Sequence, residues 1–374
     1  MIERKSNINL TIHGARGLFS LMVFFFHVGN SGVHGFSGPL GRWALDWLLL
    51  PLTFGVEMFF GISGIVILGA LPRARSMGAF AWDRMTRIYP VLWITTLAIS
   101  LVLFSGSVQR RHGLPPLGDW LLNFLAPPPF FNIPLVHMAA WSLGYEFTFY
   151  ALMGTGWYLQ RHRQYWAAAL VTLVGLALLP YYPRGMLMVA GVLIALGHGR
   201  SGLIARWSRF PALNMIVAMT LWRYAAIKMG GHNTDLSLLY MSFTEWVAWV
   251  PLLLLTFAFG SVSLLGLAEG KGLMSRLMET RFMQWMGTIS YSFYLWHPVA
   301  LAGMKQLFRW SGGLSQWGGE WTPLLFGLSA IGPALLMSHV SQRLLEVRLT
   351  KWLRKLGPDG RAAHAPVAAT VTGG

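Results

Sequence analysis

The chain has 374 residues, of which 55% are hydrophobic and 11% are charged. That charged fraction is about half of what a soluble domain carries, which excludes an ordinary soluble enzyme. The chain has no cysteine, so disulfides, thiolate metal sites and a cysteine nucleophile are excluded as well. The formal net charge of +16 does not indicate nucleic-acid binding, because the basic residues are distributed as a membrane topology requires.

Apolar segments recur along the chain at about the length that a membrane crossing needs, roughly 20 residues. The pattern predicts an all-α, polytopic integral membrane protein with about ten transmembrane helices. The predicted spans lie near residues 11–30, 45–70, 86–104, 138–158, 166–182, 185–198, 211–229, 245–267, 284–308 and 322–343. The first is interpreted as an uncleaved helix, because His27 interrupts its apolar run and no Ala-x-Ala site follows.

Basic residues are divided unevenly between the two sets of connectors. Of the 29 Lys and Arg residues, 20 fall on the side of the N-terminus, eight on the opposite side, and Arg16 within the first span. Because positive charge marks the cytoplasmic side, both termini are expected to be cytoplasmic. Residues 1–356 are expected to form one membrane-embedded domain, and residues 357–374 a disordered cytoplasmic tail too short to bury a core.

Two ionisable residues, Arg16 and His27, lie in the first predicted span. A separation of eleven residues brings them within about 20° of each other on one helix face, about 16 Å apart along the axis. The layout places Arg16 near the cytoplasmic boundary and His27 near the bilayer centre. At that depth an ionisable group usually faces a water-filled or protein-lined cavity. The alternative is that Arg16 snorkels and His27 makes a structural hydrogen bond.

Two carboxylates, Glu57 and Glu146, also fall inside predicted spans. Because unpaired carboxylates are costly in hydrocarbon, we expect these groups to be brought together with the other buried charges. A carboxylate beside His27 would fix its tautomer and raise its basicity. A purely structural polar network is the alternative.

Arg84 and Arg87 begin the third predicted span on one helix face. Arginine forks suit phosphate groups, so the pair is a candidate anion site. The alternative is ordinary anchoring of the helix at the inner membrane face.

Six blocks of the sequence, in order, resemble the motifs of the membrane acyltransferase-3 family, whose bacterial members O-acylate glycans and some small molecules. The blocks are Arg16 to His27 (Arg-x10-His), Gly55–Gly64 (GVEMFFGISG), Arg84–Pro90 (RMTRIYP), Trp141–Tyr150 (WSLGYEFTFY), Gly287–Pro298 (GTISYSFYLWHP) and Glu346 at a Glu-x-Pro position. The chain departs from the family where Phe147 replaces a second acidic residue, where Glu57 replaces the commoner Asp, and where no proline follows Val347. Longer relatives append an esterase-like domain, for which this chain is expected to have no room.

The resemblance implies an acyl-CoA donor, most often acetyl-CoA, that arrives from the cytoplasm, and a site without metal. It also implies a multi-pass protein of the bacterial cytoplasmic (inner) membrane, in contact with membrane lipids. The acceptor would be a carbohydrate or lipid-linked glycan approaching from the other face. The residues expected to bind the donor are Arg16, Arg84, Arg87, Ser63 and Tyr89.

The expected mechanism makes His27 the general base on an acceptor hydroxyl, which then attacks the thioester. Glu146 is the first choice to orient and stabilise His27, and Glu57 the second. Arg16 is expected to bind donor phosphate or to polarise the carbonyl. Direct transfer and a two-step route through an acyl-histidine both remain open.

Other histidines are ambiguous in sequence. His297 is expected to be structural, capping or kinking its helix near Pro298, and His137 and His339 have no supporting neighbours in the sequence.

Two alternative functions are compatible with the sequence. Buried His, Glu and Arg also occur in anion or proton-coupled transporters, although the two halves of this chain show no clear internal repeat. An O-acyltransferase acting on a small molecule such as a macrolide would use the same chemistry, but its acceptor would approach from the cytoplasmic side.

The residues expected to face the acceptor are the 105–137 loop, Trp120, His232, Asp235 and Trp321. The alternative for the aromatic residues among them is an interfacial aromatic belt.

Overall fold

The computed structural model describes residues 9–104, 117–126, 133–228, 243–310 and 319–358. Within these ranges the fold is all-helical and no β-strand is formed. The described helices are α1 (Leu10–Gly29), α2 (Pro39–Ala44), α3 (Gly55–Ala70), α4 (Met77–Phe104), α5 (Leu117–Leu122), α6 (Trp141–Arg161), α7 (Tyr165–Leu178), α8 (Met186–Ala195), α9 (Gly202–Trp207), α10 (Pro211–Lys228), α11 (Phe243–Ala268), α12 (Gly272–Met278), α13 (Arg281–Trp310), α14 (Thr322–Ser341) and α15 (Thr350–Leu356). A π-helical segment, Gln342–Leu349, joins α14 to α15.

Five helical segments of the described chain are long and apolar enough to cross a membrane: Leu10–Gly29, Pro39–Arg73, Met77–Leu103, Trp249–Ala268 and Gly319–Leu356. The other five predicted spans correspond to helices that are shorter or more polar. Helices α7 and α8 have 14 and 10 residues, and α13 is long but carries many polar side chains on its buried face. A helix enclosed by other helices does not need an apolar surface all round, which explains why hydropathy alone does not confirm the count of ten.

Helices α1 and α13 form the centre of the bundle and run parallel. Phe24 packs on Phe293, with ring centroids 5.7 Å apart, and further along both helices His27 packs on His297. The backbones approach closely through glycine: a Cβ added at Gly17 would lie 2.6 Å from the Cβ of Met286. This contact fixes the register between the two helices.

Glycines in the Gly55–Gly64 block serve helix packing. A Cβ at Gly64 on α3 would overlap the carbonyl oxygen of Met188 on α8, and a Cβ at Gly191 would overlap that of Gly61. The small residues therefore let α3 and α8 touch along their backbones, which holds α3 against the centre of the bundle.

Pro90 lies inside α4 and leaves a backbone acceptor free one turn earlier. Proline has no N–H, so the carbonyl of Thr86 lacks its usual partner within the helix. The hydroxyl of Thr350 on α15 donates to that carbonyl at 2.9 Å. The region of α4 around Pro90 is thereby tied to the last described helix.

Several predicted features fall wholly or partly outside the described residues. They include His232, Asp235, most of the predicted tail, and residues 105–116 and 127–132 of the 105–137 loop. In the described part of that loop, Trp120 donates from Nε1 to Ser100 Oγ on α4 at 3.1 Å.

Candidate active site

A small cavity lies between α1, α3, α4, α6 and α13. Its volume is about 110 Å³, the space of roughly four water molecules. Five residues predicted from the sequence line it together: Arg16, Ser63, Arg84, Arg87 and Glu146. Four separate sequence blocks therefore converge on one site.

Three arginines and one carboxylate, that of Glu146, line the cavity and give its wall an excess of positive charge. Arg84 is 14% exposed, and its only described ion pair is with the neighbouring Asp83 at 3.3 Å. Its Nε is buried without a hydrogen-bond partner among the described residues. Neither Arg16 nor Arg87 has a carboxylate within ion-pair distance in the described part of the chain. The guanidinium groups thus keep donors available for a ligand phosphate or carbonyl oxygen.

Glu146 is held in place by two hydroxyls. Ser63 Oγ donates to Glu146 Oε1 at 3.0 Å, and the Tyr150 hydroxyl donates to the same oxygen. His27 instead has Phe26 and His297 as its ring neighbours. The structure therefore does not join Glu146 directly to His27, and the carboxylate balances the arginines of the cavity.

Glu57 lies elsewhere, in a buried ion pair. Its Oε1 accepts from Arg184 Nε at 2.5 Å, with side chains 0% and 7% exposed. The guanidinium of Arg184 also lies over the ring of Trp141, 4.0 Å from its centroid. Arg184 was assigned to a connector by the sequence, but it precedes α8 inside the protein. The described contacts of Glu57 are thus with Arg184 and not with His27.

Tyr89 is not part of the cavity lining. Its hydroxyl donates to the carbonyl of Leu125 at 3.2 Å, and its ring stacks on Phe147, with centroids 5.2 Å apart and planes at 18°. Phe147, which replaces the second acidic residue of the family pattern, therefore packs beside the cavity on α6.

Glu346, at the last block of the family pattern, contacts α13, which is one of the helices that line the cavity. Its Oε1 accepts from the backbone N–H of Ser292 at 3.1 Å and from Ser292 Oγ at 2.5 Å. The π-helical segment that carries Glu346 is a feature found often at functional sites.

His27 occupies the last turn of α1, at the opposite end of the helix from Arg16. The sequence placed it near the bilayer centre, whereas α1 ends only two residues later, at Gly29. Its ring packs against that of His297, with centroids 5.2 Å apart and planes at 37°. His27 is thus separated from the arginines along the helix and is not itself a lining residue of the cavity.

Tyr294 connects the two regions. It lines the cavity, its ring centroid is 6.0 Å from that of His297, and its hydroxyl shares a hydrogen bond of 2.8 Å with Ser142 Oγ. The Tyr294 ring therefore lies between the arginine cavity and the pair of histidines.

Sequence reasoning did not assign Ser142, Tyr150, Tyr291 or Tyr294 to the site, although all four line the cavity. A sequence signal exists for α13, because Ser290, Tyr294 and His297 recur at positions i, i+4 and i+7 and so share one helix face.

In the described chain no group of three His, Asp or Glu residues is arranged to hold a metal ion.

The fold and the site together define an integral membrane protein with an arginine-lined cavity and an imidazole pair inside one helical bundle. A family model described as an acyltransferase domain matches residues 9–340. The chain belongs to this family, the membrane acyltransferase-3 family, and is a membrane O-acyltransferase. No curated protein and no solved structure matches it.

Proposed function

We propose that this enzyme transfers an acyl group, in the first instance acetyl, from acyl-CoA at the cytoplasmic side of a bacterial inner membrane to a hydroxyl of a cell-surface glycan or exopolysaccharide precursor. The observation that carries the donor assignment is the convergence of Arg16, Arg84 and Arg87 on one small cavity. A phosphorylated donor supplies the anion that such a cluster needs.

The size of the cavity limits what it can hold. A space of about 110 Å³ admits a phosphate group or the end of a pantetheine arm, but not a nucleotide. The nucleotide would therefore stay at the mouth of the cavity. The arm would reach past Tyr294 toward His27.

The reaction follows from the positions of these groups. His27 removes the proton from the acceptor hydroxyl, and the oxygen attacks the thioester carbonyl carbon. The carbonyl oxygen gains negative charge as the tetrahedral intermediate forms. The carbon–sulfur bond then breaks, and the thiolate of CoA takes the proton from His27. The products are the acyl ester and free CoA, so atoms and charges balance.

The test uses the purified protein in nanodiscs with [14C]acetyl-CoA and cell-envelope fractions as acceptor. Because the chain has no cysteine, a thiol reagent detects released CoA without a background from the protein. We expect label in the polysaccharide fraction and an equal amount of free CoA. His27→Ala should abolish both while the variant still folds, and a variant with normal turnover would refute the proposal.

Mass spectrometry of the envelope polysaccharide, from cells with and without the protein, then identifies the acceptor. Loss of acetyl esters from one polysaccharide in the deletion strain is the expected result. An unchanged acetylation pattern would count against a glycan acceptor.

A further inference from the structure

His297 is completely buried and its protonation is fixed by its own helix. Its Nδ1 lies 3.1 Å from the carbonyl oxygen of Phe293. A carbonyl oxygen only accepts, so Nδ1 carries the proton and Nε2 of the neutral ring carries a lone pair. That Nε2 is buried and has no hydrogen-bond partner among the described residues.

His137 repeats the arrangement with the two nitrogens exchanged. Its Nε2 lies 2.9 Å from the carbonyl oxygen of Leu295, so Nε2 donates and Nδ1 carries the lone pair. The side chain is 0% exposed, and Nδ1 has no partner in the described part of the chain. Leu295 is two residues from His297, which places His137 against the same part of α13.

The three imidazoles of His27, His137 and His297 belong to one cluster. His27 and His297 are in ring contact, and His137 donates to the carbonyl of Leu295, two residues before His297 on α13. A buried acceptor without a donor is costly, because it has lost its hydrogen bond to water and gained none in return. Two such acceptors beside the proposed base indicate that the cluster is built to receive hydrogen-bond donors.

We infer that His297 Nε2 and His137 Nδ1 form a binding site for hydroxyl groups of the acceptor that neighbour the reacting one. The inference rests on the proposed function, in which His27 takes the proton of the reacting hydroxyl. A compound with hydroxyls on three adjacent carbons, such as a sugar ring, can fill all three acceptors at once. A simple alcohol leaves His297 and His137 unpaired, and a site with unpaired buried groups discriminates strongly against such a ligand.

Substitution of these histidines by the amide residues Asn and Gln separates this binding role from a structural one. In Asn the amide lies near the position of Nδ1, and in Gln it lies near that of Nε2. His297→Asn therefore keeps the bond to Phe293 and loses the free acceptor, whereas His297→Gln keeps an acceptor oxygen and loses that bond. At His137 the two substitutions have the opposite effects, because the roles of its nitrogens are exchanged.

The experiment measures CoA release from acetyl-CoA in nanodiscs, with trans-1,2-cyclohexanediol and cyclohexanol as acceptor probes. The unmodified protein should prefer the diol by about tenfold in kcat/KM, the value of one hydrogen bond. Because the diol offers one neighbouring hydroxyl, whichever of His297→Asn and His137→Gln removes the acceptor that this hydroxyl occupies should lose the preference, and His297→Gln and His137→Asn should retain most of it. The KM for acetyl-CoA should be unchanged in all four variants.

His339→Asn is the matched control. His339 packs on Trp285, which lies about 18 Å from His297 along α13, so this variant should keep the diol preference. Melting temperatures measured on all variants separate folding defects from binding defects. The reverse order of the Asn and Gln variants would assign the histidines a structural role and overturn the inference.

Failure of the inference and of the proposed function give different results. A protein that acetylates envelope glycan but shows no advantage for the diol overturns the inference alone. A protein that releases no CoA with any acceptor overturns both.

Discussion

The buried ion pair between Glu57 and Arg184 allows a sharp test of what Glu57 does. The carboxylate is fully buried, and Arg184 Nε donates to it at 2.5 Å. Glu57→Ala would leave a guanidinium that is 7% exposed without its counter-charge. Removing one partner of such a pair typically destabilises a protein by about 3–5 kcal/mol.

The double variant Glu57→Leu/Arg184→Met provides the control. Replacing both charges by apolar groups of similar size is often neutral, and methionine keeps contact with the ring of Trp141. We therefore expect Glu57→Ala to lower the melting temperature clearly and the double variant to restore most of the loss. Intrinsic tryptophan fluorescence during heating in nanodiscs measures both, since the chain has 18 tryptophans.

Turnover by the double variant then decides the role of Glu57. If the carboxylate only neutralises Arg184, the restored protein should release CoA at close to the original rate. If Glu57 assists His27, stability should return while turnover does not. A Glu57→Ala variant with an unchanged melting temperature would refute the reasoning from burial.

Three further predictions concern the cavity and its walls. Arg87→Lys should raise the KM for acetyl-CoA about tenfold, because lysine cannot form the bidentate contact that arginine makes with a phosphate. Steady-state CoA release measures this KM, and an unchanged value would remove Arg87 from the donor site. Gly64→Ala should destabilise the protein by about 1–3 kcal/mol through overlap with the Met188 carbonyl. The same change at Gly332, which has open space around it, should not. Tyr294→Ala should increase acetyl-CoA hydrolysis relative to transfer, whereas Tyr294→Phe, which keeps the ring, should leave that ratio unchanged.

Much of the arginine cavity was predictable from the sequence. Arg16 is indicated by its charge inside an apolar segment, Arg84 and Arg87 by their spacing on one helix face at the start of the third span, and Glu146 by the cost of an isolated carboxylate in hydrocarbon. The four side chains line one cavity for the same reason, because a buried charge is stable only when other charged or polar groups lie close to it. The family motifs added Ser63, which the structure places in hydrogen-bond contact with Glu146.

The sequence was less informative about which charged side chains pair with each other and which histidines come together. Arg184 was counted among the connectors, so nothing in the sequence indicated that it would neutralise Glu57 and leave Glu146 to the other arginines. His137 lies more than a hundred positions from both His27 and His297, and no local periodicity relates residues so far apart. Such contacts depend on how helices pack, which a pattern along one helix does not contain.

The glycine contact between α1 and α13 has a consequence for how the enzyme works. Backbones that touch at Gly17 and Met286 cannot slide past each other without breaking many contacts at once. The two helices are therefore expected to behave as one rigid body during turnover, keeping His27 and His297 at constant separation. Admission of a large donor would then require displacement of α4 or α6, the walls that carry Arg84, Arg87 and Glu146.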